Sequence, residues 1–274
     1  MDQRNSLEVF FVSDRTGITA EALGRSLLTQ FHEDNRRFTV LPYVDTDEKI
    51  DAAINQIDTV MQNGQRVVVF STLSNETLRQ KLINKDFFVL DLFATCLPSL
   101  QSAQHQHSSP VIGHTHGILD KNQYLTRMDA VNFTLNVDDG MRTKDYQQAD
   151  IILAGVSRSG KTPTCIYLAM QFGIRAANYP LVSEDLEKAR LPDALKQWKK
   201  KTFGLIIDPV SLHKIRQSRM PDSSYASVEQ CRKEVRLVET LFRQENITAV
   251  ESSSMSVEEL ATSLMQKADL KRQF

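Results

Sequence analysis

Gly155, Val156, Ser157, Arg158, Ser159, Gly160, Lys161 and Thr162 together fit the pattern G-x-x-x-x-G-K-[ST] in full. Each position has a physical use. The glycines let the backbone curl around a phosphate with its N–H groups turned inward, and a helix beginning at the lysine adds the positive end of its dipole. Lys161 supplies a point charge to phosphate oxygens, and the Thr162 hydroxyl is the expected ligand of the magnesium ion that travels with a nucleotide. Arg158 carries a forked guanidinium that can meet two phosphate oxygens at once; an ordinary exposed arginine is the competing reading. A plain glycine turn between strand and helix would also use both glycines. The apolar run Ile151–Ala154 ahead of the motif, and Pro163 behind it at a position suited to a first helical turn, favour the phosphate loop.

Carboxylates that could serve such a loop lie on both sides of it. Phe203-Gly-Leu-Ile-Ile-Asp208 reads as an apolar strand ending in an acid, the arrangement in which many phosphate-loop enzymes hold magnesium. Asp208 is expected to bind the metal or take a proton from a substrate hydroxyl, or else to cap a helix before Pro209. Asp138 and Asp139 precede the flexible Gly140; paired acids can bind magnesium or act as a base, and a simple Asp-Asp-Gly turn accounts for them equally. Ser13-Asp14-Arg15-Thr16-Gly17 falls where a first strand hands over to a first helix. Open α/β sheets collect ligands there, and helices need caps there.

Other signals carry less. His105, His107, His114 and His116 form two H-x-H pairs in a polar stretch, with no cysteine or acid at a familiar metal spacing, so metal ligation there is not expected. Lys199-Lys200-Lys201 reads as a solvated helix end. Asn84-Lys85-Asp86 resembles part of a guanine-recognition motif but lacks its spacer and precedes the phosphate loop. Cys96, Cys165 and Cys231 are widely spaced and form no CxxC pair, as expected of reduced thiols. The formal net charge of −1 provides no positive field for nucleic acid or an acidic membrane. The most apolar region, Phe87–Leu100, is interrupted by Asp91 and Pro98 and falls short of the roughly 20 apolar residues that span a bilayer. Met1–Asp14 lacks a basic leader and a cleavage site, so a cytoplasmic location is expected.

The elements that must position these residues alternate between β and helical patterns nearly from end to end, the mark of an α/β protein with largely parallel sheets. Strands are expected over 7–13, 38–44, 66–70 and 87–92, with helices over 19–31, 47–63 and 76–83. Leu97–Lys121, with its prolines, glycines and histidines, reads as a long loop. Helix and strand then follow over 122–136, and a polar connection over 137–150. A second run comprises strands over 151–154, 175–182, 203–208 and 247–251, and helices over 163–172, 186–200, 211–218 and 227–244, with a final helix capped by Ser256 and Glu259. The expected division is an N-terminal α/β domain, residues 1–140, and a C-terminal phosphate-loop α/β kinase domain, residues 141–274.

Taken in order, Val12-Ser-Asp-Arg-Thr-Gly-Ile-Thr-Ala-Glu21, Asp138-Asp-Gly140, Ala149-Asp-Ile-Ile-Leu-Ala-Gly-Val-Ser-Arg-Ser-Gly-Lys-Thr-Pro163, Ala177-Asn-Tyr-Pro-Leu181 and Ile207-Asp-Pro209 resemble the bifunctional regulatory proteins of phosphoenolpyruvate synthase, relatives of the regulators of pyruvate phosphate dikinase. The resemblance implies a serine/threonine kinase that uses ADP to phosphorylate a threonine beside its target's catalytic histidine. It also implies the reversal of that mark, with inorganic phosphate attacking the phosphothreonine to release pyrophosphate. The implied partner is phosphoenolpyruvate synthase, and the implied nucleotide site is Gly155–Thr162; the expected magnesium ligands are the Thr162 and Asp208 of the motif reading. In the family a histidine often precedes the Asp-Asp-Gly triplet; here Val137 stands there, which shifts the expected base to Asp138, Asp139 or Asp208. Lys161 ordinarily bridges the last two phosphates of a triphosphate, so an ADP donor has to sit differently. An ATP-dependent small-molecule kinase and a non-catalytic nucleotide-sensing module are the alternatives, and a homodimer is the common oligomer for such a protein.

Overall fold

The computed structural model describes residues 6–32, 35–105 and 121–274. It has the expected α/β class, in two compact units, Met1–Gly117 and Ile118–Phe274. In the first, β1 (Leu7–Val12), β2 (Arg36–Leu41), β3 (Arg66–Ser71) and β4 (Phe88–Asp91) form an all-parallel sheet in the order β2-β1-β3-β4. β1 is buried at every position, as the apolar run LEVFFV requires of a central parallel strand. Phe10 and Val12 pack toward α2 (Asp47–Gln62) and α3 (Glu76–Ile83), whereas Val9 and Phe11 join the cluster of α1 (Ile18–Leu28). Ile50, Ala53, Ile54 and Ile57 give α2 its buried stripe, and Thr46 caps it by accepting the Lys49 N–H at 3.4 Å. α1 lies close to the sheet because Gly24 has no side chain; a Cβ there would meet the Phe11 ring at 2.6 Å.

In the second unit α5 (Lys121–Asn136) leads through short 3-10 turns to the sheet formed by β5 (Ile151–Gly155), β6 (Ala176–Pro180), β7 (Thr202–Ile206) and β8 (Ala249–Glu251). These strands are also all parallel, in the order β6-β5-β7-β8. Ile151 and Leu153 face the core of α6 (Lys161–Phe172) and α11 (Val257–Lys267). Ile152 and Ala154 face the opposite core, shared with α9 (Pro209–Arg219) and α10 (Val228–Gln244). Relabelled within each unit, both sheets read second-first-third-fourth. In each the order of strand addition reverses between the first and third strands, the position at which open α/β sheets bind ligands at the strands' carboxyl ends.

Four expectations change. Residues 97–104 continue α4 (Leu92–Gln104), which Asp91 caps by accepting the Ala94 N–H at 2.8 Å; the helix runs through Pro98, the residue that suggested a loop. Residues 122–136 are a single helix, and the helix expected over 186–200 is broken into α7 (Ser183–Glu187) and α8 (Asp193–Lys196). Leu191 and Pro192 lie in that break, and the Leu191 N–H goes to Glu245 instead of a helical carbonyl. The division between units falls at 117/118, not 140/141. α5 belongs with the second unit because it packs on α6, Thr134 donates to the Ala176 carbonyl at 2.8 Å, and Arg175 pairs with Asp129 at 2.5 Å.

Candidate functional site

β5 leads into residues 155–162 at the point where the strand order reverses. The first glycine of that segment is needed for close approach: a Cβ on Gly155 would lie 2.6 Å from the Leu205 carbonyl oxygen and 2.9 Å from Ser159 Oγ. Gly160, at φ 89°, caps α6, and the space a Cβ would occupy there is open. The amides of Ser157, Arg158, Gly160, Lys161 and Thr162 donate to no protein acceptor among the described residues. Such a run of orphan N–H groups at a helix start is suited to hold an anion. The Ser159 hydroxyl is buried and also lacks a partner among the described residues, while Ser252 Oγ donates to the Ser159 carbonyl at 3.1 Å and ties the loop to the end of β8.

Lys161 is 4% exposed, and its Nζ donates to the Val156 carbonyl at 2.9 Å, folded over its own loop. Burial lowers its pKa from 10.5 to about 8, against an opposing pull from the charges of Asp139 and Asp138. Both acids therefore lie within electrostatic reach of the lysine. Arg158 is exposed and holds φ 74°.

The two acids of the Asp-Asp-Gly turn play different parts. The Asp138 carboxylate accepts the Thr162 hydroxyl at 3.0 Å and, on the same oxygen, a short hydrogen bond from the Asn178 amide. Asp139 is exposed, with left-handed backbone at φ 48°, and its N–H donates to Asn178 Oδ1 at 3.1 Å. Asn178, wholly buried on β6, thus holds both acids. It is held in turn by Tyr146, whose hydroxyl donates to the Asn178 carbonyl at 2.8 Å and whose pKa burial drives upward, so that it remains a donor. Gly140, at φ 71°, turns against Tyr179 and Pro180.

Asp208 is placed otherwise. Its carboxylate caps α9, accepting the Ser211 N–H at 2.8 Å, and its own N–H donates to Ser253 Oγ; it is not hydrogen-bonded to Thr162. The acid beside Thr162 is Asp138. Ser13–Gly17, in the other unit, starts α1, with Gly17 at φ 77° as its cap and Asp14 accepting the Ser74 N–H at 2.8 Å.

The donor set fits magnesium: a hydroxyl and a carboxylate, both hard oxygen ligands, beside a cradle for the phosphates that usually complete the ion's shell. No cluster of three or more His, Cys, Asp or Glu residues suited to a metal occurs among the described residues. His107, His114 and His116 of the H-x-H pairs lie outside them. No described helix is long and apolar enough to cross a membrane, and the three cysteines are free.

The sequence places Asn178 in the motif Ala177–Leu181 without showing its role, and it gives no notice of Arg216, Tyr225 and Glu234 behind the loop. Asn178 had a signal, a polar residue inside the apolar run ahead of Pro180. Arg216 had none, since an arginine in a polar helical stretch reads as exposed.

Residues 9–265 match the kinase/pyrophosphorylase family. A protein of Pseudomonas aeruginosa is 50% identical over 268 residues, 97% of each chain. One of Pseudomonas fluorescens is 48% identical over 266 residues, 97% of this chain and 98% of its own. One of Alkalilimnicola ehrlichii is 49% identical over 265 residues, 96% of each. All three carry the name "Putative phosphoenolpyruvate synthase regulatory protein".

Proposed function

The chain belongs to the kinase/pyrophosphorylase family, and from that premise we propose that it regulates phosphoenolpyruvate synthase by reversible phosphorylation of a threonine. In the inactivating direction ADP is the donor. The threonine Oγ attacks the β-phosphorus, the bond from that phosphorus to the oxygen of the α-phosphate breaks, and AMP leaves. In the activating direction an oxygen of inorganic phosphate attacks the phosphothreonine, the P–Oγ bond breaks, the threonine regains a proton and pyrophosphate leaves.

The observation that carries this reading is the cradle of orphan amides of Ser157, Arg158, Gly160, Lys161 and Thr162, lined by buried Lys161 and joined to Asp138 through Thr162. The amides and Lys161 hold the donor's phosphates, and exposed Arg158 is free to close on the moving phosphoryl group. Thr162 and Asp138 are the residues that would hold a magnesium ion, which when bound neutralises charge on the phosphate oxygens. With the Asp138 carboxylate engaged by Thr162 and Asn178, exposed Asp139 is the acid available to take the threonine proton and return it in reverse. Asp208 supports the site as the cap of α9.

The deciding assay offers phosphoenolpyruvate synthase and β-labelled ADP to the wild type and to Lys161→Ala. Label on a threonine of the synthase with release of AMP, lost in the variant, is expected. Label on a small metabolite alone, or transfer from ATP but not ADP, would refute it.

A further inference from the structure

The phosphate loop is fastened from behind by a side chain that no motif contains. Arg216, on α9, is wholly buried. One terminal nitrogen, Nη2, donates to the Ser157 carbonyl at 3.1 Å and to Glu234 Oε2 at 2.6 Å; the other, Nη1, donates to the Tyr225 carbonyl at 3.1 Å. Nε alone lacks an acceptor among the described residues. The Tyr225 ring lies 4.0 Å from the guanidinium carbon, and the Tyr225 hydroxyl donates to Ser157 Oγ at 2.9 Å. Ser157 is therefore gripped at its carbonyl and its hydroxyl by two stacked side chains, and the stack is anchored to α10 through Glu234.

We propose that Arg216 is a positioning residue for the nucleotide site, its fork holding the Ser157 carbonyl and thereby setting the orientation of the Ser157–Arg158 peptide in the loop. A trans peptide is planar with its C=O and N–H opposed, so a carbonyl turned toward Arg216 sends the Arg158 N–H away from it. That N–H is one of the orphan donors of the cradle. Arg158 also needs the hold, because at φ 74° it occupies left-handed backbone that a residue with a Cβ keeps only where its surroundings impose it. A lysine could not replace the guanidinium, since one ammonium cannot reach carbonyls on the loop and on the 224–226 turn while pairing with α10. Tyr225 adds the second hold on the same residue. Without the pair, the loop relaxes in the free protein, and ordering it is charged against nucleotide binding.

This inference rests on the proposed nucleotide site, and the experiment separates the two. ADP affinity, KM and kcat are measured for the wild type, Arg216→Lys and Tyr225→Phe at a temperature where circular dichroism shows each to be folded. Arg216→Lys is expected to weaken ADP binding about 10- to 100-fold, with KM rising in step and kcat changing less than about threefold. Tyr225→Phe keeps the stacked ring, loses the hydroxyl, and is expected to weaken binding about 3- to 10-fold. A merely structural role would lower the melting temperature and leave ADP affinity in the folded variants within about twofold of wild type, and that result overturns the inference. A fall in kcat with KM unchanged overturns it too. If Arg216→Lys does not fold, Tyr225→Phe decides alone. A wild type that binds no ADP removes the proposed function and this inference with it; a wild type that binds, with variants that bind as well, removes only the inference.

Discussion

Replacing Lys161 by methionine is expected to stabilise the unliganded protein while abolishing phosphoryl transfer. The ammonium is buried inside its own loop, and burial lowers its pKa from 10.5 to about 8. In the unfolded chain the same group titrates near its ordinary value. Folding near neutral pH therefore places a proton where the site disfavours it, at a cost of about 3 kcal/mol from roughly 1.4 kcal/mol per pH unit. Because the folded pKa lies below the unfolded one, the unfolded state binds more protons between about pH 8 and 10.5, and wild-type stability rises with pH across that window. The cost is fully present below it and gone above it, and about 2 kcal/mol is relieved by about pH 9.5. Methionine keeps most of the apolar stem and carries no charge, but it forfeits the hydrogen bond to the Val156 carbonyl, worth about 1 kcal/mol. The net gain expected at about pH 7 is thus about 2 kcal/mol, shrinking toward zero by about pH 9.5. Urea unfolding of both proteins at the two pH values measures it, and taking the difference cancels every group they share. A variant less stable than wild type at neutral pH, or a difference that does not change with pH, would refute the reasoning.

Asp139→Asn is expected to lower kcat by about 10²- to 10⁴-fold with ADP affinity nearly unchanged, read from single-turnover transfer and equilibrium binding; unchanged turnover would place the proton acceptor elsewhere. Thr162→Val keeps the shape and removes the hydroxyl, so the magnesium concentration for half-maximal activity is expected to rise about tenfold or more, and an unaltered magnesium titration contradicts the assignment. Asn178→Ala strips a donor from Asp138 and the acceptor from the Asp139 N–H; thermal melts are expected to show a loss of about 1–3 kcal/mol together with reduced turnover. Gly204→Ala, on β7, would put a Cβ 2.4 Å from the Phe242 ring and is expected to cost about 1–3 kcal/mol in urea unfolding.

What could be read in advance follows from how local each feature is. The strand-loop-helix unit around Gly155 and Lys161 is contiguous, so apolar run, glycines and proline announce it together. The α2 stripe is equally local, and its expected and observed ranges differ by a single residue at the carboxyl end. The partnership of Asp138 with Thr162 is not local. It depends on Asn178 reaching across from a strand added to the sheet edge, and nothing near Asp138 in sequence distinguishes a turn from a ligand. Asp208 shows the converse: an acid at the end of an apolar strand before Pro209 satisfies both a metal motif and a helix cap, and the carboxylate was placed by the nearest backbone donor, Ser211. Pro98 misled because proline's cost inside a helix can be met by context, as α4 demonstrates.

One site suffices for both directions of the proposed reaction, for a reason that lies in the reactants. At the midpoint of the forward transfer, a phosphoryl group stands between the threonine oxygen and an oxygen of the AMP phosphate. At the midpoint of the reverse, it stands between the threonine oxygen and an oxygen of inorganic phosphate. The two arrangements differ only in whether the distal phosphate carries a nucleoside ester, and in the proposed site the orphan amides of Ser157, Arg158, Gly160, Lys161 and Thr162, with the Lys161 ammonium, recognise charge and oxygen geometry, which both share. The same carboxylate must take a proton from the threonine in one direction and return it in the other, and Asp139, exposed and, among the described residues, hydrogen-bonded only through its backbone N–H, is unencumbered for both. Direction is then set by which phosphate fills the cradle and whether the threonine arrives bearing a phosphoryl group, with no second set of catalytic residues required.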